Sequence, residues 1–578
     1  MQFSEALALV RANSQRTDLA PFRLHLAAGF TANHLALFMT AHAAATRQDR
    51  RASCSTGRYG DVVMALDDPQ AREAHVAIVA LEWADLDPRL GLRRYVMASG
   101  ECADDILRTA HVRLDMLAEA IIRQADSAPV ILSLPTLPLP PVFSLPGRQS
   151  GLPEIALRRQ LLTFAERCLG ARGVSVISSD RLSRHSALIE RRSATGEVGA
   201  DMPYGQVHLS ALAKVLVESA LPPPPLKGLV TDLDDTLWRG LVGEVGPDRV
   251  TWDLDAQSHM HAVYQAMLAG LAEQGVLIAV ASKNDPAVVA KAFERSDLRV
   301  KPDMIFPMEV SWGAKSSAVE RILSSWNIGA DAIAFVDDSP IEIAEVQSRF
   351  PQVTGLLFPT RDEEVALAMF EQIRDLYGRE RVSDDDRLRS ASIRCNAEVM
   401  KAAEAKTGSA SETFLEGLQA RLVFNFSIYP EDDRPFDLVN KTNQFNLNGR
   451  RIDAAEWKRH LRAGDRFAVA ISYSDKFGPL GTISIAAGHI EGSQIVLTSW
   501  VLSCRAFARR IEHATLAVLS ERLKLCDFRL DFRATDKNAP FQDFLASLDA
   551  IHESDHSVLI NPTSSLPPLY HERETHEP

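Results

Sequence analysis

Cysteine is scarce in this chain, and what there is stands scattered. Six of 578 residues are cysteine: Cys54, Cys102, Cys168, Cys395, Cys504 and Cys526. None has a partner at metal-ligand spacing, which excludes a zinc finger or ribbon. The density is far too low for a disulfide scaffold, so the six read as reduced thiols of a cytoplasmic protein. No apolar run is long enough to cross a bilayer, and no membrane partner is expected. The first residues lack a basic segment followed by an apolar core, so no secretory signal is expected. Positive charge is in deficit, with 63 Lys and Arg against 76 Asp and Glu and a net charge of -13. A general nucleic-acid binder needs a broad basic surface, and that class is excluded. Tandem repeats are absent.

What remains is an ordinary globular composition, 46% hydrophobic and 24% charged. The chain is too long for one core, so several domains are expected. Pro222-Pro223-Pro224-Pro225 marks an extended, semi-rigid boundary. Residues 1–221 read as an α/β domain. Its strands are expected at Leu24–Ala28, Val62–Leu66, Val76–Leu81, Val130–Leu134 and Val174–Ser178. A Pro-rich surface loop is expected from Leu134 to Pro146. A second boundary, residues 379–411, reads as a polar helical linker. It begins at Ser383, with Asp384, Asp385 and Asp386 at the positive end of the helix. The polar residues 563–578 read as a disordered tail.

Chemistry concentrates in residues 226–378. Leu229 and Val230 run as a buried strand into Thr231-Asp232-Leu233-Asp234-Asp235-Thr236. Carboxylates two residues apart at a strand end repel each other unless a cation offsets them. Leu277–Ala281 is a second apolar run, ending in Ser282-Lys283-Asn284. Trp312-Gly313-Ala314-Lys315 opens a helical pattern, and Ala332–Val336 ends in Asp337-Asp338-Ser339-Pro340. Short apolar strands separated by helices predict a parallel sheet. Ligands of such sheets bind at the carboxyl ends of the strands, where all these polar groups lie. Asp232 is a candidate nucleophile on phosphorus and Asp234 a candidate general acid and base. Asp232, Asp234, Asp337 and Asp338 form a candidate oxygen-only site suited to Mg²⁺. Thr236, Ser282, Lys283, Asn284 and Lys315 are candidate phosphate-binding groups. An unrelated acidic loop would explain one such segment, but not four in order.

These four segments resemble the haloacid dehalogenase (HAD) superfamily. The short spacing between Thr236 and Ser282 leaves no room for a large cap. The flanks are similar to the FkbH-like subgroup: Asp232–Trp238 with Gly240, Gly243-Glu244 and Gly246; Ala281–Asp285; and Val336–Glu342. So are Asn440–Leu447, Asp475–Gly481 and Leu502–Arg505 in the last third. Arg239 and Val245 depart from the Gly and acidic residue usual there, which bears on substrate identity. The resemblance implies a multidomain α/β protein. Its parts would be an SGNH-hydrolase-like domain, a central Rossmann-like HAD parallel sheet and a GNAT-like α+β domain over 412–562. It implies transfer of a glyceryl unit from 1,3-bisphosphoglycerate, a phosphorylated three-carbon acyl donor. The acceptor would be the phosphopantetheine thiol of an acyl carrier protein, for polyketide extender units. The alternatives are a HAD phosphatase acting on another metabolite, or a non-catalytic scaffold.

In the last third, strands are expected at Arg421–Asn425, Thr482–Ile485 and Ile495–Val501, with a helix from near Phe507. The turn before that helix lacks the glycines that would admit coenzyme A pyrophosphate. Arg505, Arg509 and Arg510 are candidates for the single phosphate of a carrier arm, or for surface ion pairs. Cys504 is either an acyl-carrying thiol or a packed cysteine. Asn440, Lys441, Asn443 and Gln444 suit a hydroxylated acyl group or pantetheine amides, and equally suit turn backbone. In the first domain Gly29-Phe30-Thr31 stands where a hydrolase would place its nucleophile, and His208 is a remnant base or a packed histidine. A fold alone does not carry an activity, so a role as lid, dock or dimer surface is expected there.

Overall fold

A computed structural model describes the chain except residues 144, 146–148, 184, 222–224, 379–392, 395–414, 431, 443, 453, 477, 508, 549, 555, 562–565 and 577–578. The chain divides into two compact units, 1–223 and 224–578. No helix among the described residues is long and apolar enough to cross a membrane.

The first unit is built on a five-stranded parallel sheet. Its strands are β1 (Pro21–Ala27), β2 (Arg51–Thr56), β3 (Val76–Ala80), β4 (Val130–Ser133) and β5 (Val174–Ile177), in the order β2-β1-β3-β4-β5. β3 and β4 are buried along their whole length, as continuous apolar runs require in a sheet covered on both faces. Val62–Leu66, expected as a strand, is a short helix. Asp61 decides this, because its side chain accepts hydrogen bonds from Val63 N and Met64 N and so caps the first turn.

The second unit contains two sheets. The first is parallel and comprises β6 (Gly228–Thr231), β7 (Leu277–Ser282), β8 (Ile305–Val310), β9 (Ile333–Asp337) and β10 (Thr354–Leu357). Their order is β10-β9-β6-β7-β8. β6 lies at the centre, flanked by β9 and β7. Its first residue must be glycine, since a Cβ on Gly228 would stand 2.4 Å from the ring of Trp326. Trp326 is itself fixed by a 2.6 Å hydrogen bond from Nε1 to Phe306 O.

The other sheet is mixed. It comprises β11 (Arg421–Asn425), β12 (Phe445–Asn446), β13 (Arg466–Asp475), β14 (Gly478–Glu491), β15 (Gln494–Leu502), β16 (Asp527–Leu530), β17 (Ile551–Ser554), β18 (Ser557–Ile560) and β19 (Glu572–His576). The path runs β17-β18-β16-β15-β14-β13-β11-β19, with β12 paired to β15. β19 corrects the expectation of a disordered tail: it pairs in parallel with β11, Arg421 opposite Glu572. The helix expected from near Phe507 is Ile511–Leu523. The polar linker helix lies outside the described residues. Two residues of that linker are described: Ile393 is buried, and Arg394 donates to Ile305 O at 2.9 Å.

Candidate functional site

The central sheet gathers its polar groups at the carboxyl edge, because β6, β7 and β9 all end there. Asp232 follows β6 directly, Ser282 closes β7 and Asp337 closes β9. Lys315 opens the helix Lys315–Trp326. All four are buried. The Lys315 ammonium donates to Asp337 Oδ2 at 2.6 Å and stands 3.0 Å from Asp232 Oδ1. Asp232, Asp337 and Asp338 each bring a carboxylate oxygen within 4.8 Å of the others.

Three carboxylates this close in a dry setting are electrostatically expensive. Burial raises the pKa of Asp232, Lys315 lowers it and Asp337 raises it again; the net direction is up. Asp337 is raised chiefly by burial, against Lys315. Asp338 is pushed up to about 6 by burial, Asp337 and Asp235. Burial opposes the charge on Lys315, but Asp232 and Asp337 outweigh it and raise its pKa. One ammonium balances part of three carboxylates, and Asp232 Oδ1 is buried with no aligned hydrogen-bond donor among the described residues. A hard divalent cation held by Asp232, Asp337 and Asp338 would supply the missing positive charge, so the donor set fits Mg²⁺.

Asp234, expected among the metal ligands, brings no carboxylate oxygen to this cluster. Its Oδ1 accepts from Trp238 Nε1 at 2.9 Å and Val242 N at 3.0 Å, and its Oδ2 from Asn284 Nδ2 at 3.1 Å. Three donors thus fix its carboxylate in one orientation, which suits a proton carrier better than a ligand. Asn284 Nδ2 also donates to Ser282 Oγ at 3.1 Å. Thr236 is fully buried, with its hydroxyl 3.5 Å from Asp338 Oδ1. Lys283 does not join the phosphate groups; its amine meets Glu342 Oε1 at 2.7 Å. Arg239 reaches away to the carbonyls of Ala256 and Gln257.

Several supporting residues escaped the sequence reading. Trp238 and Glu342 stand inside the motif strings, but nothing in their spacing gives them a role. Tyr264, whose hydroxyl donates to Thr231 Oγ1 at 3.0 Å, lies in a helix with only a packing signal. Glu345 accepts from Ser316 N at 3.0 Å and steadies the turn that presents Lys315.

Cys504, the candidate thiol, lies elsewhere. Cys504 is half-buried and packs against the apolar cluster of Trp326 and Ile328, at the far end of the Lys315 helix. Lys227 Nζ, just before β6, lies 3.5 Å from Lys441 O, and Lys537 pairs with Asp331, just before β9. The mixed-sheet lobe therefore meets the parallel sheet at its amino edge, opposite Asp232. Two rulers agree on the separation. Lys227 to Asp232 is five strand residues, roughly 16 Å. The 12-residue helix from Lys315 to Trp326 spans roughly 18 Å.

The expected carrier-binding residues are mostly engaged in structure. Arg509 corrects the expectation of an arginine facing an arm phosphate: it is buried beside Asp475, Nε to Oδ2 3.7 Å, with its guanidinium over the Tyr473 ring. Arg510 donates to Pro568 O at 2.8 Å. Asn440 bonds Phe436 O and Ile452 N, and Lys441 pairs with Asp437. Gln444 is half-buried. Asn443 and the side chain of Arg505 lie outside the described residues.

In the first unit, His208 is a packed histidine. It is fully buried between Thr136 Oγ1 at 2.9 Å and Ser186 Oγ at 3.1 Å, and burial pushes its pKa down to about 3. Thr31 Oγ1 donates to Ala200 O at 2.9 Å. With both groups committed to other partners, a nucleophile–base pair is not assembled.

No family profile matches the sequence, and no curated protein matches it significantly. Among solved structures the chain is similar to the N-terminal part of the protein BF1531 from Bacteroides fragilis, which contains a phosphatase domain and is complexed with Mg. Identity is 19% and the TM-score 0.52, over 66% of this chain and all of that one. At that identity the likeness establishes a shared fold. An alpha-glucosyltransferase bound to UDP and DNA aligns with a TM-score of only 0.15, too low to bear on the fold.

Proposed function

We propose that this chain is a magnesium-dependent phosphohydrolase of HAD type. In its finer form the reading adds acyl transfer, from 1,3-bisphosphoglycerate to the phosphopantetheine thiol of an acyl carrier protein. The observation that carries the phosphoryl part is the cluster of buried Asp232, Lys315 and Asp337 with half-buried Asp338 at the carboxyl edge. Asp232 attacks phosphorus and forms an aspartyl phosphate, while Asp234 protonates the leaving oxygen and then deprotonates water. Lys315 and Ser282 hold phosphoryl oxygens. Asp232, Asp337 and Asp338 would hold Mg²⁺, which would supply charge neutralisation; the Mg-bound phosphatase fold of BF1531 is in keeping with this.

The acyl-transfer part rests on Cys504 and the sequence strings around it. Reacting atoms must approach to about 3–3.5 Å, so a carbonyl at Asp232 cannot be attacked by a thiol on the opposite edge. Transfer through Cys504 therefore requires a second encounter, in which the thiolate attacks the acyl-phosphate carbonyl and expels that phosphate. The phosphoryl group taken by Asp232 is then the 3-phosphate ester, because cleavage of the acyl phosphate at phosphorus would leave an unactivated carboxylate. The same separation favours a second reading, hydrolysis of a phosphorylated metabolite with no thiol step.

Intact masses of the enzyme and candidate carrier proteins distinguish the two after incubation with 1,3-bisphosphoglycerate and magnesium. A glyceryl-sized adduct on the carrier thiol, lost in Cys504→Ala, supports transfer. Phosphate release without any adduct supports plain hydrolysis. No phosphate release at all sinks both.

A further inference from the structure

Lys283 is flanked by two residues of the site and does not enter it. Ser282 and Asn284 turn inward and bond each other, whereas the Lys283 ammonium meets Glu342 Oε1 at 2.7 Å. Lys283 leaves the end of β7, and Glu342 stands in the first turn of the helix that follows β9. β6 lies between those strands, so the pair straddles the strand that ends in Asp232. With neighbouring strands about 4.8 Å apart, it bridges roughly 10 Å at the carboxyl edge. Glu342 stands near enough to Asp337 for its charge to raise that carboxyl's pKa.

The pair is loosely made. Glu342 Oε2 is buried and finds no hydrogen-bond partner among the described residues, so half of this carboxylate is unsatisfied. Lys283 keeps 39% of its side chain exposed. Glu342 is only 20% exposed, so the lysine is the end of the pair that is open to solvent. Lysine is also the cation suited to exchange, a mobile point charge on a flexible stem.

We propose that Lys283 is a specificity-determining residue, which leaves Glu342 to bind a second anionic group of the substrate. That group, a carboxylate or a second phosphate, sits beyond the phosphoryl group received by Asp232. The inference rests on the phosphoryl-transfer reading of the Asp232 centre and names its substrate class. Substrates are small phosphorylated acids or bisphosphates, not phosphate esters of neutral alcohols.

The test compares two esters that differ only in a carboxylate against a hydroxymethyl group, 3-phosphoglycerate and glycerol 3-phosphate. Phosphate release by the full chain with magnesium gives kcat/KM for each. Wild type should prefer 3-phosphoglycerate. Lys283→Met should cut that preference by roughly ten- to a hundredfold, the range of a hydrogen bond to a charged group. Lys283→Arg should retain part of it, and Glu342→Gln, which frees the lysine, should raise it. A preference unchanged in Lys283→Met, or both variants slowing both esters equally, would reduce the pair to a structural tie and overturn the role. Wild type that prefers glycerol 3-phosphate, or turns over neither ester, overturns the substrate class. The phosphoryl reading itself stands or falls separately, on phosphate release from 1,3-bisphosphoglycerate.

Discussion

Asn327 holds Cys504: its Nδ2 donates to the Cys504 carbonyl at 3.2 Å. Asn327 is the left-handed residue that closes the helix opened by Lys315. One helix thus has Lys315 at its first residue and the Cys504 turn just past its last. Sites this far apart without shared partners are energetically independent to within about twofold. Cys504→Ala should therefore leave the rate of phosphate release within that range while abolishing acyl loading of the protein. Phosphate assays and intact mass on the same samples check both.

Asp232→Asn should lower phosphate release by roughly 10³-fold or more, as loss of a nucleophile does. Chelation should abolish the wild-type activity, and magnesium should restore it. The variant should still fold, because it relieves repulsion among Asp232, Asp337 and Asp338; circular dichroism with the phosphate assay separates the two effects.

Lys315→Met removes the cation from between two buried carboxylates. Losing one partner of a buried pair costs about 3–5 kcal/mol. The metal-free variant should melt well below wild type, and magnesium should raise its melting temperature more than it raises that of wild type. Differential scanning calorimetry with and without magnesium reads this directly.

Arg509→Met should destabilise the second unit by about 3 kcal/mol, because it removes the cation beside the buried Asp475 carboxylate and leaves that charge to neutral donors such as the Tyr473 hydroxyl. Arg509→Lys should recover only part, since its ammonium cannot lie over the Tyr473 ring as the guanidinium does. Urea unfolding of the full chain provides the measurement.

His208 should make the first unit acid-sensitive. Its pKa is depressed to about 3 in the fold against 6.5 unfolded. Between those values the unfolded chain binds the extra proton. Stability is therefore complete above pH 6.5 and falls by about 1.4 kcal/mol per unit as pH drops towards 3. His208→Gln should flatten that part of the stability–pH curve, measured by urea unfolding across pH 4 to 7.

The central sheet was legible because parallel strands covered on both faces read as short apolar runs, and because catalytic side chains collect where such strands end. Asp232, Ser282 and Asp337 were placed by that rule, and Lys315 by the helical pattern it opens. Side-chain direction was not legible. Asp234 and Lys283 stand at the expected ends but turn to Trp238 and Glu342, partners fixed only by packing. Val62–Leu66 misled because five apolar residues carry no period, and the capping Asp61 outweighs them. β19 was invisible for the opposite reason: Glu572–His576 is polar throughout, and it pairs through backbone groups that hydropathy does not report. Arg509 was read as meeting an arm phosphate or a surface acid, and its buried neighbour Asp475 lies too far along the sequence to be seen.

β19 has a bearing on how this lobe assembles. Arg421 waits for Glu572, 151 positions later, before the outer edge of β11 is covered. Contacts of such long range form slowly, and until then β11 presents open backbone donors and acceptors, a template for aggregation. Arg421, which pairs with Glu574 once β19 arrives, places a charge on that edge meanwhile. Recovery of this lobe from denaturant should therefore depend on protein concentration until its last strand docks.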